Sequence, residues 1–137
     1  MFNIENFESI YNLIEKNDKF SSQKQLAVLR KKYALHPDYL FLMSKYLILD
    51  KRYYQSIDAL LGSLKLDKDE FFLVKNNFKK SKEELITKKI QVIGKLFNLI
   101  GNIELSIEAS KVKSEEELDN YVNKLSKLMP GVKLKKN

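Results

Sequence analysis

Cysteine and tryptophan are absent from this 137-residue chain, and histidine occurs once, at His36. Without thiols there is no disulfide framework, no thiolate zinc site and no thiol catalysis, and a single imidazole excludes almost any histidine-based metal site. The four glycines and two prolines are too few for a fold of many short strands, which needs turn residues every few positions. Gly62, Gly94, Gly101 and Gly131 stand apart, so neither a phosphate-cradling loop nor a nucleotide site is implied. Long apolar runs are missing too. The greasiest stretch, Tyr39 to Leu49, is interrupted by Ser44 and Lys45 and falls short of a membrane span. Met1 to Glu8 carries acid where a secretory signal needs base, so the expectation is a cytoplasmic protein that makes no use of a membrane.

What the chain does have is apolar residues and lysine. It is 44% hydrophobic and 31% charged, a globular balance, and its length suits one domain or one short repeat array. Lysine and arginine number 25 against 18 acids, a net charge of +7, yet arginine appears only at Arg30 and Arg52. The planar fork that reads guanine or clamps phosphate is therefore scarce, and sequence-specific DNA reading is not expected. The lysines have two readings: non-specific attraction for polyanions and acidic partners, or the solvated helix faces of a chain rich in Lys, Asn and Ile.

Apolar residues recur at helical spacing almost throughout, and nothing alternates as a strand. Phe7, Ile10, Tyr11 and Ile14 predict a helix from about Asn3 to Asn17. Ser22 with Gln25 reads as a capping box opening a second helix, with Leu26, Leu29 and Tyr33 on one face and an end near Leu35. Pro37 suits the first turn of a third helix carrying Leu40, Met43 and Leu47. Asp50-Lys51-Arg52 makes a turn, and Ile57, Leu60, Leu61 and Leu64 mark a fourth. Residues 68–80 read as an inserted helix with Phe71, Val74 and Phe78, either separate from the next or continuous with it. That next helix holds Ile86, Ile90, Ile93, Phe97 and Ile100 and stops at Gly101. Asn102 to Lys111 is a weaker helix. Ser114 with Glu117 caps the last, whose stripe is Leu118, Tyr121, Val122, Leu125 and Leu128; a basic tail, 130–137, follows.

Shifted by fifty residues, two segments align without a gap: Leu40 meets Ile90, Met43 Ile93, Ser44 Gly94, Leu47 Phe97, Lys51 Gly101, Tyr53 Ile103, Ser56 Ser106 and Ile57 Ile107. A small residue inside each first helix (Ser44, Gly94) and each second helix (Ser56, Ser106) lets two antiparallel helices approach closely. Gly94 inside a helix costs about 1 kcal/mol relative to alanine, so a packing reason is expected.

Residues 37–68, through Leu40, Met43, Ser44, Leu47, Tyr53, Ser56, Ile57, Leu60, Ser63, Leu64, Leu66 and Asp67, resemble the tetratricopeptide repeat. A second unit from Thr87 to about Lys113 resembles it through Ile90, Ile93, Gly94, Phe97, Gly101, Ile103, Ser106 and Ile107, and residues 6–37 form a degenerate unit whose second helix follows a slightly lengthened turn. The usual alanines are serines here, and the closing proline is Lys68. Residues 36–111, with Asp58-Ala-Leu-Leu61 and Leu66-Asp67-Lys68-Asp69, also resemble the repeat region of thioredoxin-like bacterial co-chaperones, without their thioredoxin domain. The family repeat is thirty-four residues, so the offset of fifty implies about sixteen inserted. The resemblance implies an all-α, TPR-like right-handed superhelix in one domain, 1–129: hairpins at about 3–35, 37–66 and 82–112, and a C-terminal capping helix at 115–129.

It also implies a concave groove lined by first helices, at Phe41, Lys45, Ile48 and Leu49, then Lys88, Gln91, Lys95 and Asn98. Apolar residues interleaved with lysine suit an acidic or amphipathic peptide; equally, Phe41, Ile48 and Leu49 suit packing between helices. Lys75, Lys79, Lys80 and Lys82, near Phe71, Phe72 and Phe78, suggest an RNA or polyanion contact, against core packing for those aromatics. His36 reads as a capping or turn residue. Asp67, Asp69 and Glu70 read as acids at a helix start; their spacing is not that of a calcium loop. The expectation is a protein-binding adaptor, to which the second resemblance adds a co-chaperone-like use, with no catalysis, no cofactor and no metal; a polyanion binder and a structural subunit of a larger assembly are the alternatives.

Overall fold

The computed structural model describes residues 4–67 and 82–128, and the side chains of 7–66 and 83–128. The expected helix at 68–80 and the tail at 130–137 lie outside the described residues. Among the described residues there are seven helices and no strand: α1 (Ile4–Glu15), α2 (Lys19–Tyr33), α3 (Pro37–Leu49), α4 (Tyr53–Asp67), α5 (Lys82–Leu99), α6 (Ile103–Ser110) and α7 (Glu115–Leu128). The fold is all-α, built from antiparallel hairpins α1–α2, α3–α4 and α5–α6.

Local chemistry sets most boundaries. His36 precedes Pro37 as a cap, its Nδ1 accepting the Asp38 N–H at 3.0 Å. The Asn102 side chain accepts from the Leu105 N–H to open α6 (3.1 Å). At α7 the capping box forms in both directions, Glu117 N–H donating to Ser114 Oγ and Ser114 N–H to Glu117 Oε1. The box expected from Ser22 and Gln25 does not form. Asp18 caps α2, accepting from the Ser21 N–H at 3.1 Å, so the helix starts at Lys19 and Ser22 is a buried interior residue. The helix also ends at Tyr33, before Leu35.

The three hairpin turns are one structure used three times. Each has one residue in the left-handed region: Asn17 (φ 64°), Lys51 (φ 62°) and Gly101 (φ 90°). That residue donates its N–H three residues back, Asn17 to Ile14, Lys51 to Ile48 and Gly101 to Asn98 (2.9, 2.9 and 3.2 Å). The next donates five back, Asp18 to Leu13, Arg52 to Leu47 and Asn102 to Phe97 (2.9, 2.8 and 2.8 Å). These are Schellman closures, which satisfy the last carbonyls of each first helix. The first turn is not lengthened: Asn17 and Lys51 stand thirty-four residues apart, and Ser22, Ser56 and Ser106 follow their turns at the same distance.

The expected close approach lies within the hairpins. Ser56 Oγ of α4 donates to the Ser44 carbonyl of α3 at 2.8 Å, and Ser63 Oγ donates to the Pro37 carbonyl at 2.7 Å. Seven residues separate the donors and seven the acceptors, in opposite order, so the two bonds lock α3 and α4 antiparallel in a single register. Gly94 plays the same part in the last hairpin: a Cβ there would stand 3.2 Å from Ala109 Cβ and 3.6 Å from the Ser106 carbonyl oxygen.

Around these contacts lies one core, including Phe7, Ile10, Leu26, Leu42, Ile57, Leu60, Ile93 and Leu125. α1 and α2 pack on α3, α4 packs on α5, and α7 closes the C-terminal end by folding back on α4. Tyr121 Oη donates to the Leu105 carbonyl at 2.8 Å, and Lys124 pairs with Glu108 at 2.8 Å, tying α7 to α6. Leu128, placed on the stripe by periodicity, is exposed.

A bulky residue at position 94 should separate α5 from α6. Gly94→Val is expected to lower stability by about 1–3 kcal/mol in urea unfolding followed by circular dichroism. Gly94→Ala should change it by less than about 1 kcal/mol, because better helix propensity opposes the tight Ala109 contact. Ser56→Ala should cost about 1 kcal/mol for its buried hydrogen bond.

Candidate functional site: a lysine-lined groove

The turn register puts Tyr11, Lys45 and Lys95 at equivalent positions of the three first helices. Lys45 and Lys95 both line a groove of about 610 Å³ that runs beside α5. Lys45 reaches in from α3; Lys88, Gln91, Val92 and Lys95 line it from successive turns of α5, with Glu83, Glu84 and Thr87 at its amino-terminal end. The acids at one end and the lysines further along give the groove an electrostatic direction.

Lys45 is its least comfortable charge. Its side chain is only 16% exposed, and the facing carboxylate, Glu15, stands at 3.9 Å. Its ammonium lies 5.4 Å from the Tyr11 ring centroid and 5.8 Å from that of Phe41. Burial, with the Lys88 and Lys95 ammoniums, holds Lys45 below the ordinary lysine pKa, and Glu15 opposes them.

Of the eight residues expected in the groove, Lys45, Lys88, Gln91 and Lys95 line it. Phe41 does not: it is buried beneath Lys45, with the Lys89 ammonium 5.7 Å from its ring centroid. Ile48 and Leu49 pack half-buried against the core. Asn98 is exposed outside the lining. Lys75, Lys79, Lys80 and the side chain of Lys82 lie outside the described residues. Glu83, Glu84, Thr87 and Val92 were not expected, although Glu84 and Val92 stand four residues from Lys88, and Glu83 and Thr87 continue the four-residue line of Gln91 and Lys95. Lys89 is fully buried; it falls on the stripe of Leu85, Ile93 and Leu96, which marks an inward position. His36 packs by ring contact with Phe7 and Tyr33, each pair of centroids 5.9 Å apart, as a capping residue. Among the described residues no group of acids or His36 could hold a metal ion, and no helix is long and apolar enough to cross a membrane.

No family model matches this chain, and neither curated proteins nor solved structures provide a match.

The Lys45 environment has a stability consequence. The folded state binds this proton more weakly than the unfolded chain does, so Lys45 weakens the fold at neutral pH. That penalty fades as pH rises from the depressed pKa to the ordinary lysine value. Lys45→Met should therefore raise the thermal midpoint at neutral pH and flatten its rise on the alkaline side, as read by calorimetry at a series of pH values.

Proposed function

We propose that the chain is a non-catalytic adaptor of tetratricopeptide-repeat type that holds an acidic, amphipathic segment of a partner protein in the α3–α5 groove. The observation that carries this reading is Lys45. A nearly buried lysine beside two further lysines opposes folding, and a carboxylate from a bound segment would add to the counter-charge that Glu15 supplies from 3.9 Å. Three supports accompany it. The first two turns recur at thirty-four residues, the repeat length of that family, which favours a right-handed superhelical arrangement of the hairpins. The groove is lined by first helices, as such arrays line their binding faces. Val92, with the stems of Lys88 and Lys95, offers apolar surface between the charges.

In this mechanism apolar contacts supply affinity, while the lysines select acidic partners and speed encounter. The acids at the amino-terminal end of α5 orient the ligand, placing its carboxylates toward Lys45 and Lys95. The partner is a protein or peptide, the compartment the cytoplasm, and no cofactor takes part.

The test is fluorescence polarisation with a labelled amphipathic peptide bearing glutamate on one face, against a peptide in which lysine replaces the glutamates. Saturable binding of the acidic peptide alone is expected, weakening at least about tenfold in Lys88→Glu/Lys95→Glu, a loss of about 1.4 kcal/mol, with helicity unchanged. Equal binding of the two peptides, or an unaffected double variant, would discard the groove reading.

A further inference from the structure

Among the described residues two apolar faces stay exposed, on the first and the last hairpin, and their charges are opposite. On α2, Ser22, Leu26 and Leu29 turn inward. The other side presents Phe20, Lys24, Val28 and Lys31 along one line, which Leu35 continues beyond the helix end. Phe20, Val28 and Leu35 are each more than two-thirds exposed. The helix carries five basic residues and no acidic one.

At the other end, Leu99 of α5 and Ile103 and Ile107 of α6 are about half exposed or more. The fifty-residue alignment explains why. Ile107 is the counterpart of Ile57, which is fully buried in α4 where α5 and α7 pack. Among the described residues α6 is followed by α7, which folds back on α4 and leaves Ile103 and Ile107 about half exposed. α6 holds Glu104 and Glu108 and no base, and α6 with α7 carry six acids against two lysines.

We infer that the α2 face of one copy docks on the Leu99–Ile103–Ile107 face of a second copy, so that chains associate head to tail. The faces are complementary: exposed apolar side chains on both, lysines on one, and on the other Glu104 together with Glu108, whose carboxylate is shared with Lys124. The contact is heterologous, so every added copy presents a fresh face and assembly passes beyond the dimer. A lipid surface fits α2 less well. Lys24 and Lys31 lie on the same line as Phe20 and Val28, so burying the apolar groups in acyl chains would draw the ammoniums in with them; a partner helix can set a carboxylate opposite each.

Sedimentation velocity of the full chain at low salt, up to about 1 mM, tests this. The average mass should rise with concentration and fall back toward one chain as salt is added. Val28→Glu and Ile107→Lys change exposed positions on one face each; each alone should stay a monomer with unchanged helicity. Mixed in equal amounts, they should form a species of two chains and nothing larger, since one good face remains on each. Lys24→Glu/Lys31→Glu should weaken assembly at least tenfold. A wild-type chain that stays monomeric throughout overturns the inference, as does an Ile107→Lys variant that assembles like wild type or a mixture that stays monomeric. If a foreign acidic amphipathic helix binds α2 while the chain itself remains monomeric, that also overturns it. None of these substitutions touches Lys45, Lys88 or Lys95, so the groove reading stands or falls separately.

Discussion

Two serine hydroxyls on α4 reach across to carbonyls of α3, and the remaining architecture depends on the closeness this demands. A hydroxyl can donate across a helix pair only if nothing larger than serine stands between the backbones. Ser44, Ser56 and Ser63 meet that condition with no exposed surface at all. In the last hairpin Gly94 and Ala109 meet it by having almost no side chain. Paired rods at this separation leave their wider side chains to point outward into the next pair, which is how a core forms between hairpins as well as within them.

The identical turns transmit that closeness along the chain. Each left-handed residue followed by the same two hydrogen bonds sends the second helix back at one phase, so first helices repeat their orientation. Lys45 and Lys95 thereby arrive on one face although fifty residues separate them. The groove's charge is a product of the backbone turn as much as of the lysines. Lys45 is held there at a cost to the fold, and groups kept against stability are where binding is expected.

Much of this was legible in the residues. Helix type, the order of the seven described helices, the turns at Asp50–Arg52 and Gly101, and the small-residue packing of Ser44 and Gly94 follow from periodicity and from the ungapped offset. Lys45, Lys88, Gln91 and Lys95 follow from the resemblance to the repeat family, which puts them in the groove, and not from periodicity. Ser22 was misread because a local capping rule competes with a tertiary one: Ser-x-x-Gln fits a helix start, yet its distance from the turn matches Ser56, which is the stronger signal. Phe41 left the groove because lysine stems fold over its ring, a contact between helices that no single-helix pattern contains. Lys89 was hidden by the rule that charge lies outside. The exposure of Ile103 and Ile107 reflects the path of α7 back onto α4, so their own periodicity could not reveal it.

The most direct measurement of the central claim is the nuclear Overhauser effect between the Gly94 α-protons and the Ala109 methyl group in the labelled full-length protein. Close nesting of α5 and α6 predicts a strong cross-peak, alongside a slowly exchanging Ser56 hydroxyl proton. A missing Gly94–Ala109 cross-peak with both resonances assigned would show the helices standing apart, and the repeated-hairpin account would be contradicted.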